Sequence, residues 1–398
     1  MTATDSRIRV AFLARSLEAT GGAEQQLAHI ALGLDPALFE PRVYCFYETG
    51  ELCRHIRAGG IRIDTMRKES RWDLIDPALL LRRKLREFRP QILHSFLGPP
   101  NVLAAVLKPA FPQTKVIWGV RASDMKLENY DWTRRATFRA EVMLSGIPDA
   151  IVANSEAGRK YVTAAGFPDR RVSVLPNGID IHRFVPVASA RERVRASLNI
   201  PLDAPVVGMI ARIDPQKDHL TFLRAVRRAV TRRPELIFLC VGGGSDSLME
   251  TLHQFAQQLG VEQNIRWAGE RRDVPDLINA CDLMTLTSAY GEGFPNAIGE
   301  AMACERTCVV TDVGDCASIV GETGSVAARG DDSALANLWL DFFRLAPAAQ
   351  REIGQRARRR IEEHYSLESM VRRSERLYSG ITRLASAPPL LNQSGYSL

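Results

Sequence analysis

Two carboxylates eight positions apart, Glu292 and Glu300, mark the segment Tyr290-Gly291-Glu292-Gly293-Phe294-Pro295-Asn296-Ala297-Ile298-Gly299-Glu300. Its Gly and Pro residues read as a loop that opens into a helix, and Pro295 suits the first helical turn. Free backbone N–H groups near Phe294 to Ala297 would then face a crevice, where a helix start carries roughly half a positive charge and welcomes a diphosphate. Glu300, about one turn inside the helix, can accept from ribose hydroxyls, and Glu292 on the loop can accept from hydroxyls of a sugar. Groups of these types at this spacing suit a nucleotide sugar. The plainer alternative is an acid that stabilises a helix dipole.

Two cations could complete such a crevice. Arg212 ends the apolar run Pro205 to Ala211, and Lys217 follows five residues later, just before an amphipathic helix expected from about Asp218 to Val230. A planar guanidinium and a compact ammonium at a strand's carboxyl end suit a diphosphate leaving group, because they oppose the negative charge that grows as the bond to phosphate breaks. A pair of solvated surface charges is the alternative. The loop Gly242-Gly243-Gly244 follows another apolar run, Leu236 to Cys240, and permits close backbone approach. Taken alone, such a loop says little.

The elements that must position these groups repeat as strand then helix. Apolar runs at Ile8 to Ala14, Val43 to Phe46, Ile92 to Leu93, Val116 to Val120 and Ala150 to Ala153 alternate with longer mixed segments. A second set follows at Val206 to Ala211, Leu236 to Val241, Ile265 to Ala268, Leu283 to Leu286 and Cys308 to Thr311. That pattern predicts an α/β fold with parallel sheets flanked by helices, and ligands beyond the carboxyl ends of the strands. The expected organisation is a first domain over 1–180, a second over 181–365, and a C-terminal helix with a disordered tail over 366–398. The 398 residues, 45% of them apolar, are enough for substantial cores. No run of about eighteen apolar residues and no hydrophobic signal core appears, which predicts a cytoplasmic protein. The seven cysteines are scattered without a paired spacing and read as buried reduced thiols, and the seven histidines show no metal-ligand spacing.

Arg212 with Lys217, the Gly-rich loop, Trp267-Ala268-Gly269-Glu270-Arg271, the Glu292/Glu300 segment and Val310-Thr311-Asp312-Val313-Gly314 together resemble the second domain of retaining glycosyltransferases of family 4. In the first half, Gly21-Gly22-Ala23-Glu24 and Val174-Leu175-Pro176-Asn177-Gly178-Ile179-Asp180 are similar to that family's donor-side loop and domain junction. The resemblance covers roughly residues 7–380 and is looser in the first half. It implies the GT-B fold, two Rossmann-like domains with parallel sheets facing a central cleft, and a terminal helix that crosses back onto the first domain. It also implies that Glu292 and Glu300 hold donor sugar and ribose, Arg212 and Lys217 the diphosphate, Gly22 the phosphate or acceptor side, and the turn from Gly269 through Arg271 to Arg272 the base. Gly243, Phe294, Pro295 and Asn296 would line the donor pocket.

The implied activity is transfer of a hexose-type sugar from a nucleoside diphosphate to a hydroxyl of a glycan or lipid-linked glycan, with retained configuration and no cofactor or metal. Arg212, Lys217 and the helix start would take the place of a divalent cation. Other chemistry on the same fold (an epimerase or a phosphorylase) and a non-catalytic nucleotide-sugar-binding subunit are the alternatives. The pattern departs from the family at the strand Lys115 to Val120, where a His is usual and Arg121 stands. A titrating group is replaced by a permanent cation, which could bind the donor phosphate, bind an acidic acceptor group, or pair with Asp124. His94, at the end of the preceding strand, is a second candidate for the cleft, or a structural histidine.

Charge placement adds a partner. Residues 1–180 hold 26 basic and 20 acidic side chains and residues 181–398 hold 26 of each, so the net charge of +6 belongs to the first domain. Its densest stretch includes Asp76 to Arg89, which reads as a helix packing Leu81, Leu85 and Phe88 inward with a basic side outward. That side is solvated, or docks on an anionic membrane surface carrying a lipid-linked acceptor. Nucleic acid is excluded, since no recognised module or basic-aromatic platform accompanies the charge.

Overall fold

The computed structural model describes residues 7–18, 22–47, 50–68, 70, 73, 75–121, 123 and 131–386. Gly21, Asp124 and the tail 388–398, which figure in the sequence reading, lie outside the described residues.

The period of apolar residues builds two parallel sheets. The first contains β1 (Ile8–Ala14), β2 (Phe39–Cys45), β3 (Arg62–Thr65), β4 (Ile92–Phe96), β5 (Lys115–Val120), β6 (Ala150–Ala153) and β7 (Val172–Val174), in the order β3-β2-β1-β4-β5-β6-β7. The second contains β8 (Val206–Ile210), β9 (Ile237–Val241), β10 (Ile265–Trp267), β11 (Leu283–Leu286), β12 (Thr307–Thr311) and β13 (Ser325–Ala327), in the order β10-β9-β8-β11-β12-β13. Central strands such as β4, β9, β11 and β12 are buried along their whole length, as strands covered on both faces must be. Three strands carry no apolar run and were not expected from the sequence: β3, β7 and β13. Each is a short edge strand with an exposed residue, held by pairing with its neighbour rather than by its own burial.

In both sheets the winding direction reverses at a central pair, β1 with β4 and β8 with β11. Connections leaving the two strands of such a pair pass to opposite faces, so a crevice opens at their carboxyl ends. The loops after β8 and β11 are those that carry Arg212 with Lys217 and Glu292.

Helices fill the faces. His219–Arg232 shows how one is specified: Asp218 caps it by accepting from Thr221 N at 3.0 Å, and Phe222, Leu223, Val226, Ala229 and Val230 form its buried stripe. Phe222 meets Phe238 and Trp339 edge-on with centroids 5.8 Å apart, anchoring this helix and Asp332–Arg344 on the same face of the second sheet. The chain passes between the domains at two adjacent places. Ile179 N donates to Tyr365 O at 2.8 Å, and Leu367 N donates to Ile179 O at 3.0 Å. Beyond that crossing the helix Leu367–Ser386 lays Met370 and Tyr378 into the first core beside Phe12 and Phe39.

Candidate functional site

The carboxyl ends of β8 and β11 are stitched into one cradle. After β8, Asp214 accepts from Gln216 N at 2.9 Å and shapes the short turn Pro215–Lys217. After β11, Ala289 N donates to Gln216 O at 2.8 Å and Thr287 Oγ1 to Lys217 O at 2.9 Å. This brings Lys217 Nζ onto Glu292 Oε1 as an ion pair, and the same oxygen accepts from Ser288 Oγ. Glu292 is 5% exposed, so its charge is held by these two partners in a site with little water. Arg212 is exposed and has no hydrogen-bond or ion-pair partner among the described residues. Its long side chain is free to swing over the cradle.

Glu300 lies on the helix Asn296–Ala303, half-buried, and burial pushes its carboxyl up to about 7, with Arg183 the one charge that tempers the rise. Phe294 packs edge-on against Tyr365 at 5.3 Å, fixing the loop just ahead of that helix. Pro295 stands at the helix's cap position and Asn296 opens it.

The loops after β8, β9 and β10 are joined in the same way. Ile213 N donates to Gly243 O at 2.8 Å and Gly242 N to Gly269 O at 2.9 Å. Gly242 has φ +150°, and a Cβ there would lie 1.9 Å from Ala211 O, so only glycine lets this loop rest on the end of β8. Arg271, expected at the nucleotide base, is occupied by a two-pronged pair with Asp273 at 2.8 and 2.6 Å. Arg272 reaches the first domain and pairs with Glu51 at 3.1 Å.

Facing this cradle, the first domain presents Arg121, Ser123 and the start of the helix Gly22–Gly33. Arg121 Nη1 donates to Asn177 Oδ1 at 2.5 Å, and its guanidinium sits 5.0 Å over the Phe96 ring. Its Nε and Nη2 are shut off from solvent without a partner among the described residues, and desolvation lowers the group to about 10. Asn177 in turn donates to Asn296 Oδ1 at 2.8 Å, so Arg121 connects through one side chain to the start of the Glu300 helix. Ser123 Oγ donates to the backbone carbonyl of Glu292. Gly22 is exposed at the start of its helix, and a Cβ there would stand 3.3 Å from Asn296 Nδ2.

The structure buries His94 beneath the C-terminal helix, beside Arg121 and the Phe96 ring. Tyr378 on the C-terminal helix covers it, with the hydroxyl 2.8 Å from His94 Nδ1, and only 2% of the residue is exposed. Burial and the neighbouring Arg121 push its pKa down to about 3, so it is a neutral core histidine and not a cleft residue. Asn177 and Ser288 are polar site residues that the sequence reading did not single out. For Ser288 the signal was its place four residues before Glu292 at the end of an apolar strand; for Asn177 it was the junction motif itself.

The expected basic helix, Ile75–Phe88, does bury Leu81, Leu85 and Phe88, but its outer charges are partly matched. Lys84 pairs with Asp64 at 3.3 Å and Arg83 with Glu87 at 3.8 Å. No helix among the described residues is long and apolar enough to cross a membrane. Among those residues no group of three or more His, Cys, Asp or Glu is placed to hold a metal ion. All seven cysteines are buried free thiols.

Residues 20–183 match the model of glycosyltransferase family 4, and residues 204–343 match that of glycosyl transferases group 1. With its two parallel-sheet domains, the chain belongs to the GT-B, group 1 glycosyltransferases. It is 30% identical over 146 residues to the UDP-Gal:alpha-D-GlcNAc-diphosphoundecaprenol alpha-1,3-galactosyltransferase of Escherichia coli, covering 36% of this chain and 37% of that protein. It is 31% identical over 226 residues to D-inositol 3-phosphate glycosyltransferase 2 of Catenulispora acidiphila, covering 53% and 52%. The matched region thus spans about a third to a half of these two relatives. The crystal structure of HepE from Anabaena in complex with UDP superposes with a TM-score of 0.81 over 94% of this chain and 100% of that one, at 22% identity.

Proposed function

We propose that this protein transfers a sugar, with retention of configuration, from a nucleoside-diphosphate sugar to a hydroxyl of a glycan or lipid-linked glycan. The observation that carries this reading is the convergence of Lys217 on Glu292 across the β8/β11 switch point, with Arg212 on the loop after β8 and Glu300 on the helix that follows the β11 loop. Glu292 would hold hydroxyls of the donor sugar and Glu300 the ribose. Arg212 and Lys217, with backbone N–H groups at the helix start that Pro295 caps and Asn296 opens, would hold the diphosphate, Phe294 would line the pocket, and the turns at Gly243 and Arg271 would flank the base. HepE, which shares the fold, binds UDP in its crystals, and a uridine nucleotide is therefore the first donor to test.

The chemistry follows from where charge grows. As the glycosidic bond to phosphate breaks, negative charge builds on the leaving diphosphate, and Lys217 and Arg212 stabilise it more than they stabilise the ground state. Glu292 is held by Lys217 and Ser288 rather than presented as a nucleophile. Front-face attack therefore fits best, with the departing phosphate oxygen taking the acceptor's proton. Arg121 would steady a phosphate or acidic acceptor group from the facing domain.

A lipid-linked acceptor is supported by a different helix from the one the sequence suggested. On Trp132–Leu144, the residues Trp132, Arg135, Ala136, Arg139 and Met143 form one exposed stripe, with Trp132 60% and Met143 79% exposed. Arg135 and Arg139 have no acidic partner among the described residues. A tryptophan and a methionine flanking two arginines suit the headgroup layer of an anionic membrane. Replacing Arg135 and Arg139 with Gln should weaken binding to anionic vesicles, and equal binding would remove the membrane from the reading.

The function is tested by a thermal-shift screen of nucleoside-diphosphate sugars in excess chelator, followed by mass spectrometry of products formed with glycan and lipid-linked acceptors. Transfer to an acceptor is expected. Turnover of the donor without acceptor, or a strict need for added Mg²⁺, would overturn the reading.

A further inference from the structure

Asp315 belongs to the second domain but directs its carboxylate to the first. It follows β12, and its Oδ2 accepts from Glu156 N at 2.8 Å while its Oδ1 accepts from Ala157 N at 2.9 Å. Those two donors open the nine-residue helix Glu156–Ala164, whose own cap, Ser155 Oγ, already serves Gly158 N at 2.9 Å. Asp315 thus supplies the acceptors that the first turn otherwise lacks, and places a negative charge at the positive end of the helix. A carboxylate accepting two backbone N–H groups at a helix start is a charge-assisted contact, and here its two halves belong to different domains.

The same residue is fastened to the donor loop through its backbone. Asp315 N donates to Gly293 O at 3.2 Å. The preceding Gly314 has φ +62°, and a Cβ there would lie 2.2 Å from Glu292 O, so the turn is pressed against the peptide that carries Glu292. Ser123 Oγ reaches that same Glu292 carbonyl from the first domain. When Asp315 docks on the Glu156 helix, the Glu292 loop is therefore held between the two domains; when the domains separate, that clamp is lost.

We propose that Asp315 is a positioning residue that couples closure of the two domains to the placement of the Glu292 loop around the donor sugar. The inference rests on the donor role of Glu292 given above. It separates two functions: the nucleotide is held within the second domain, whereas the sugar is aligned for transfer only when Asp315 is docked.

The test uses the full chain with Asp315→Asn, Asp315→Ala and Glu156→Pro. The last variant removes one of the two donors without touching the second domain. Proline is well tolerated at a first helical position, and Ser155 has the extended backbone, ψ 154°, that a following proline requires. Donor affinity, kcat and KM, and small-angle scattering with a nucleoside-diphosphate sugar are measured for each variant beside its melting temperature. In Asp315→Ala kcat should fall about ten- to a hundredfold, the equilibrium equivalent of one or two charge-assisted hydrogen bonds, while donor affinity changes by less than about threefold. Scattering should report a larger radius of gyration, and Asp315→Asn and Glu156→Pro should lie between Asp315→Ala and the unsubstituted protein. A residue that only supports the fold would lower the melting temperature and leave kcat and the donor-bound radius unchanged, and that result overturns the inference while leaving the donor site intact. Failure of the unsubstituted protein to bind any nucleoside-diphosphate sugar would overturn both.

Discussion

Between pH 8 and pH 6 the affinity of this protein for a nucleoside-diphosphate sugar should fall about tenfold, because Glu300 changes charge across that interval. Burial raises the Glu300 carboxyl to about 7 from an ordinary value of 4.5. Ribose hydroxyls donate best to the ionised form, whose share drops from about nine-tenths at pH 8 to about one-tenth at pH 6. The ligand should be the sugar-linked diphosphate, because a free diphosphate carries a terminal group that titrates near the same pH. Fold stability moves the opposite way. A carboxyl whose folded pKa is raised contributes stability that is fully present below 4.5 and lost as pH rises through about 7. Glu300→Gln should therefore melt higher than the unsubstituted protein at pH 8 and similarly at pH 4.5. The shift sets an upper bound of about 3 kcal/mol, which partial exposure reduces to on the order of 1–2 kcal/mol. Calorimetric titration at constant ionic strength, with melting curves at each pH, reads both effects. Burial also raises Glu24, in the first turn of the helix Gly22–Gly33, so the decisive comparison is the slope in Glu300→Gln. If that variant keeps the tenfold dependence, Glu300 does not hold the ribose.

Glu292→Gln, Arg212→Ala and Lys217→Ala should each lower kcat/KM by on the order of 10² or more with the fold retained, since each removes a contact aimed at donor orientation or developing charge; near-normal turnover in all three purified variants would refute the site. Arg121→Lys keeps charge but loses the fork that reaches Asn177 Oδ1, and Arg121→Ala loses both, so activity should fall in that order. Normal turnover in Arg121→Ala would make this residue structural. Glu141 is 7% exposed, accepts from Asn101 Nδ2 at 2.8 Å and is raised to about 7 by burial. Its contribution to stability is present below 4.5 and lost through about pH 7, so Glu141→Gln should raise the melting temperature at pH 8 and change it little at pH 4.5; an equal effect at both values would contradict the assignment.

Much of this protein is written locally. The apolar runs at residues 8–14, 92–93, 206–211, 236–241 and 283–286 fall on the central strands, because a strand covered on both faces is largely apolar. The Gly/Pro loop before Asn296, the Asp218 cap and the buried stripe of His219–Arg232 are likewise readable, since turn chemistry, capping and helical period depend on near neighbours. The residue types around Glu292, Glu300, Arg212 and Lys217 suggested a nucleotide sugar, the donor proposed above.

What the sequence left open was set by strand order. Lys217 and Glu292 are 75 residues apart and meet only because β8 and β11 become neighbours at a switch point, a pairing that no local pattern encodes. His94 ends an apolar strand as a cleft residue would, yet the C-terminal helix returns from nearly three hundred residues away and seals it under Tyr378. Lys84 looked free until β3, too short and polar to read as a strand, placed Asp64 against it. Asp315 has no signature of its own, because its partners are backbone N–H groups of the other domain. Periodicity and turn chemistry determine which residues are buried and where the chain reverses, since those depend on contacts within a few residues. Which charges are paired, and which side chains face the cleft, depends on contacts between distant segments, and only the packed tertiary structure supplies them.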